Sequence, residues 1–190
     1  MGSGFGTLLF VVLVTFGLLH LVPAMPAAKA RAVSILGKAY GPAYGIASLV
    51  LFVAAIWSFR QISPEALYAE PSWGKHANFG LSLLGFLCFG IFIFRGSWRN
   101  TLRHPMALGI LLWATGHLLA NGEVATTILF GGFAVIALLH ALLRQANGLA
   151  VAGPVREGHN LLSILAGVAL YGVAVQLHPV FAGVPVIQLH

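Results

Sequence analysis

Eight histidines are the groups best able to do chemistry in this chain of 190 residues. Around them stand only ten basic and four acidic side chains, a single cysteine (Cys88) and no aspartate. One cysteine cannot build an internal disulfide, a cysteine zinc site or an iron–sulfur site. Carboxylate-rich metal sites fit poorly as well. Neutral imidazole remains, which ligates transition metals and which burial keeps neutral by disfavouring the charged form. Two imidazoles on a porphyrin iron are the most economical use of this donor set. Without Cys-x-x-Cys-His the haem would be a non-covalent haem b. A histidine-only zinc or copper site is less favoured, because no His-x-x-x-His pair occurs.

Spacing singles out one stretch. Gly109, Trp113, His117 and Asn121 recur every fourth residue and fall on one helical face. Read as a site, Gly109 leaves room for a flat ligand and Trp113 walls it. His117 ligates and Asn121 hydrogen-bonds. Read as packing, the same stripe is a polar seam against a neighbouring helix. His20 is the one strongly polar residue of its helix, with Gly17 one turn before it, and Gly167, Tyr171 and His178 share a face further on.

The elements that must position these groups are membrane helices. Hydrophobic residues make up 59 % of the chain and charged residues 7 %, against about 25 % charged in a soluble domain. That composition excludes a soluble domain and disorder alike. Segments 4–22, 41–59, 77–94, 105–122, 124–143 and 160–178 carry no Lys, Arg or Glu. Each approaches the roughly 20 residues needed to cross a bilayer as helix. The expected fold is all-α: a polytopic bundle of about six transmembrane helices forming one domain over 1–190. Connections 23–40 and 144–159 are the longest and read as loops. Met1–Gly6 lacks the basic residues of a signal peptide, so the first segment is expected to stay as a helix.

Charge sets the orientation. Lys29, Arg31, Lys38, Arg95, Arg99, Arg103, Arg144 and Arg156 fall in alternate connections, leaving only Arg60 and Lys75 for the others. The positive-inside rule puts the eight in the cytoplasm and both termini on the periplasmic side. Net charge is +6, and in such a chain it reports topology, with no nucleic-acid partner implied. The histidines then sort into a cytoplasmic tier (His20, His104, His140, His159) and an outer tier (His76, His117, His178), with His190 at the end. Gly41 and Gly45 have the spacing that lets membrane helices approach closely, and ordinary helix packing is the favoured reading.

The run RHPMALGILLWATGHLLANG from Arg103 to Gly122 resembles the signature of the NnrU family. His20, Tyr44, Pro71-x-Trp73-x-Lys75-His76, Gly153-Pro-Val-Arg156 and Gly183-Val-Pro185 extend the resemblance along nearly the whole chain. It implies a bacterial inner-membrane, multi-pass protein associated with nitrite and nitric oxide metabolism (denitrification). NnrU proteins are in turn similar to the 15-cis-ζ-carotene isomerase, a haem b membrane enzyme, whose two proposed ligand histidines match His20 and His117. Its Arg-His-Pro matches Arg103, His104 and Pro105. Where the isomerase carries a cysteine three residues before the second ligand, this chain has Ala114, which removes a ligand exchange through that position. The Arg-His-Pro pattern also resembles isoprenylcysteine-type methyltransferases, but their later acidic pair is missing at Leu142–Gln145.

The expected cofactor contacts are therefore His20, His117, Trp113, Asn121, Arg103, His104 and His76, with His20 and His117 on the iron. Arg103 could pair with a haem propionate. Helical rise puts His20 and His117 about 12 Å apart in depth. His20 with His104 or His140, or His76 with His117, are the alternative pairs. Three functions follow as expectations: a haem protein of redox or nitric oxide metabolism, a non-catalytic subunit packed against partner membrane subunits or a second copy, and an isomerase of a lipophilic polyene.

Overall fold

The computed structural model describes residues 2–149 and 154–186; His190 and Gly153 lie outside them. The described residues are helical almost throughout. The helices are α1 (Gly2–Leu21), α2 (Pro26–Leu36), α3 (Tyr40–Arg60), α4 (Gly74–Phe94), α5 (Trp98–Leu102), α6 (Pro105–Ala120), α7 (Val124–Ala146) and α8 (His159–Ala182). Among the described residues, five stretches are long and apolar enough to cross a membrane: Gly4–Ala24, Pro26–Arg60, Gly74–Phe94, Val124–Ala146 and His159–Ala182. The sixth expected crossing is α6, with 16 residues. The chain is a multi-pass membrane helix bundle.

Connection 23–40 differs from the expected loop. Pro26 starts α2 at its first turn, where its missing N–H costs nothing. Ala27, Ala28, Ala30 and Ala32 then favour helix. Gly37 ends it at φ 53°, a backbone that suits glycine.

Packing runs in the order α3, α1, α7, α6, α4, α8. The α1–α3–α7 half has an aliphatic and aromatic core of Leu9, Leu13, Ala55, Leu129, Phe130 and Phe133. The α4–α6–α8 half packs through glycine instead. A Cβ on Gly85 would meet Gly109 O at 2.8 Å, and one on Gly167 would meet Leu87 Cα at 2.7 Å. A Cβ on Gly90 would strike Ser163 O. Small residues let backbones approach this closely in lipid. Gly41 and Gly45 face open space, so the favoured reading of that pair as packing within the bundle is corrected.

The ends of the bundle follow the expected charge pattern. At one end, Arg156 N donates to Arg95 O, Asn160 Nδ2 to Ser97 Oγ, and Asn147 Nδ2 to Ala24 O. These bonds draw together the three connections that hold eight of the basic residues. At the other end, Arg60 Nη1 donates to Val180 O and Val124 N to Glu65 O.

That outer end explains why α6 can be short. Sixteen residues rise about 24 Å, less than a hydrocarbon core of about 30 Å. Leu67 N and Tyr68 N donate to Gly122 O, at 2.7 and 3.1 Å. The Tyr68 hydroxyl donates to Leu118 O and Asn121 O. Segment 61–73 thus satisfies the carbonyls that α6 leaves open at its C-terminus.

Candidate functional site: two tiers of histidine

The inner tier is built where α1 ends against α7. His20 Nδ1 lies 2.8 Å from Phe16 O, one turn back on its own helix. The carbonyl accepts, so Nδ1 carries the proton and the Nε2 lone pair is left open. Its ring stacks on Phe16, with centroids 3.8 Å apart, and Tyr44 of α3 stands at 5.5 Å. Gly17 lets α7 come this close: a Cβ there would lie 3.0 Å from Ile136 Cγ1.

His140 on α7 donates its own Nδ1–H to His20 O at 2.8 Å. That carbonyl is one of the last four of α1, which have no partner in the helix. His104, just before Pro105, interacts electrostatically with Arg144, His140 and Arg103. Burial first, and then those three groups, hold its imidazole below the ordinary value. His20, His140 and His104 therefore share one end of the bundle. Arg103 is exposed, in a backbone turn at φ 55°. His159 Nδ1 donates to Phe94 O, on the far side of α4.

The outer tier centres on α6. His117 Nδ1 donates to Trp113 O at 2.9 Å. Its ring lies flat on Phe130 of α7, with centroids 4.2 Å apart and planes within 13°. Trp113 packs edge-on against both His117 and Phe130. Asn121 Nδ2 donates to His117 O at 3.0 Å, so its amide caps the end of α6. His178 stands near enough to interact electrostatically with His117, while its Nδ1–H goes to Val184 O. His76 is exposed in the first turn of α4.

The expected room for a flat ligand at Gly109 is not there. A Cβ on Gly109 would meet the Phe89 ring at 2.5 Å, so this glycine serves the α4–α6 crossing. His20 and His117 stand at different levels. Phe16, Phe133 and Trp113 form a ring-to-ring path between them. His117 meets α7 at Phe130 and His20 meets it at His140, about 15 Å apart along the helix.

One participant has no counterpart among the expected contacts. Tyr40 sits one turn before Tyr44, its ring 6.2 Å away, and its buried hydroxyl makes no hydrogen bond among the described residues. The i, i+4 spacing of Tyr40 and Tyr44 on the face turned to His20 is the signal that could have found it. No group of three or more His, Cys, Asp or Glu side chains able to hold a metal ion occurs among the described residues. What the inner tier offers is single imidazole nitrogens, oriented by carbonyls, beside a buried phenol that lacks a partner.

No curated protein and no solved structure matches the chain. The family model described as NnrU protein matches residues 8–186, nearly the whole of it, and the chain belongs to the NnrU family.

Proposed function

We propose that this protein holds a haem b at its inner histidine tier, in the bacterial cytoplasmic membrane, and serves redox or nitric oxide metabolism. The observation that carries the reading is the state of His20. Its Nδ1–H is committed to Phe16 O and its Nε2 has no hydrogen-bond partner among the described residues. Metal-ligating histidines are oriented in this way, with the second nitrogen donating to a carbonyl. The unpaired Tyr40 hydroxyl supplies a polar contact two rings away. Membership of the NnrU family supports the metabolic part of the reading.

In this reading His20 would hold the iron through Nε2, and His140 and His104 are the other imidazoles of the same tier. Arg103 and Arg144 bring cationic groups suited to carboxylates. When bound, haem supplies a one-electron couple at iron and an affinity for small diatomic molecules. Phe16 O fixes the His20 tautomer. His140 ties the end of α1 to α7, which holds the His20 backbone in place. His117, first choice as the second ligand on resemblance, stands a level away from His20, about 15 Å along α7, and would not reach the same iron.

The test is the visible spectrum of the purified protein, oxidised and reduced. A Soret band is expected, lost in His20→Ala and kept in His117→Ala. Loss only in His117→Ala moves the ligand to the outer tier. No band after haem supplementation defeats the reading. The polyene isomerase reading draws less support: Ala114 is fully buried and carries no ligand, and Cys88 lies on α4, away from both tiers. A non-catalytic subunit role gains from Gly41 and Gly45, which no described residue covers. A stable partner retained in mild detergent would favour it.

A further inference from the structure

Arg99 is 4 % exposed, yet it makes neither an ion pair nor a hydrogen bond among the described residues. Its Nε and Nη1 are buried without acceptors. Its one contact of note is with a ring: the guanidinium carbon lies 5.6 Å from the centroid of Phe92. Its nearest ionic neighbours have the same sign, since Arg95 and Arg144 both interact with it unfavourably. Three of the four glutamates, Glu65, Glu70 and Glu123, belong to the outer end, and Glu157 is exposed. A buried cation left in this state is unfavourable unless an anion compensates it.

The neighbourhood of Arg99 also has an apolar side. Trp98, next to it on α5, lines a groove of about 420 Å³ with Leu84, Cys88 and Ile91 of α4, Leu112 of α6 and Ile164 of α8. The groove is almost wholly apolar and half open. Phe92, beneath the guanidinium, directly follows the groove residue Ile91. Arg99 thus follows the groove residue Trp98 directly and lies over the residue that follows Ile91, at the end of the bundle that the positive-inside rule assigns to the cytoplasm. Arg95 contributes by its backbone. Its left-handed turn at φ 60° sends the chain from α4 into α5 and so places Arg99 over Phe92.

We propose that this end of the α4–α6–α8 face holds one anionic phospholipid of the inner leaflet, with its phosphate on Arg99 and one acyl chain in the groove beside Trp98. The occupant is a phospholipid because both parts of the site are needed: a guanidinium suits a phosphate, and the adjoining groove, almost wholly apolar, suits a hydrocarbon chain. The positive charge of this end, with Arg95 and Arg144 near Arg99, favours an anionic lipid over a zwitterionic one.

The experiment uses the full chain, delipidated in detergent and titrated with phosphatidylglycerol or phosphatidylcholine while thermal stability is followed. Phosphatidylglycerol is expected to raise the melting temperature at concentrations where phosphatidylcholine does not. Arg99→Gln should weaken the apparent affinity about tenfold, the loss of a charge-assisted hydrogen bond, and Arg99→Lys should recover part of it. Leu112→Trp, which fills the groove and keeps every charge, should weaken it too. Lys75→Gln, at the outer end, should leave it unchanged. If Arg99→Gln does not fold, Leu112→Trp and the two wild-type titrations decide. Equal stabilisation by the two lipids overturns the proposal. So does an unchanged affinity in Leu112→Trp, and so does full stabilisation by inorganic phosphate or glycerol phosphate, which would assign the head position to a free anion. None of these readouts involves haem.

Discussion

The Nδ1–H of His140 is given to the carbonyl of His20, 2.8 Å away across the α1–α7 crossing. One histidine thus closes the end of a helix that carries another, and it places a carbonyl that has no helical partner. His140→Ala is expected to cost about 1–3 kcal/mol, the range for leaving a buried carbonyl unpaired. His140→Asn, which can still donate, should recover part of it. Thermal unfolding in detergent reads both. If His20 ligates haem as proposed, His140→Ala should also broaden or shift the Soret band without abolishing it.

Glycine packing makes a sharper prediction. Gly90→Ala puts a methyl group into Ser163 O, a backbone atom that cannot swing aside. It should destabilise by about 1–3 kcal/mol or more. Gly131→Ala meets nothing within 4 Å and should be neutral or stabilise by up to about 1 kcal/mol through helix propensity. Expression level and melting temperature should separate the pair. Equal behaviour would contradict the α4–α8 contact described above.

His104 gives a pH dependence. Burial and its cationic neighbours Arg144, His140 and Arg103 hold its pKa below the ordinary value in the folded protein. In the unfolded chain it titrates near about 6.5. Above that range both states carry it neutral and it has no effect. As pH falls toward 5 the unfolded chain takes up the proton first, so stability is lost. His104→Gln should flatten this part of the melting-temperature profile between pH 8 and pH 5.

The outer clasp predicts that Tyr68→Phe leaves Leu118 O and Asn121 O short of a donor. A loss of about 1 kcal/mol is expected. Faster hydrogen exchange should appear at the end of α6 and in segment 61–73 together, because Leu67 N and Tyr68 N hang on Gly122 O. Faster exchange at α2 alone would count against the clasp.

Much of the fold was legible because lipid leaves a chain few choices. The continuous apolar runs could only be helices, and the one-sided Lys and Arg placement set the ends. Connection 23–40 was misread because Pro23 and Pro26 mark loops as readily as they open helices. Only the alanines after Pro26 tip the balance toward α2. At the site, both histidine tiers were legible from depth along each helix. The use of Gly109 was not, because spacing gives a face and not what fills it. Phe89 fills it, and it comes from a helix whose register against α6 the sequence does not state. Arg99 shows the same limit: in sequence it is one of three arginines in a short connection, and only packing makes it the buried one.

The shortness of α6 has a consequence for the bilayer itself. Its neighbours α4 and α7 run to 21 and 23 residues, so helix gives way to segment 61–73 where α6 stops, and the apolar height of the bundle is lower there. Acyl chains bordering a shorter apolar flank tilt or shorten to match it. The protein therefore carries a local thickness mismatch on one flank, and it should partition toward thinner, shorter-chain membranes.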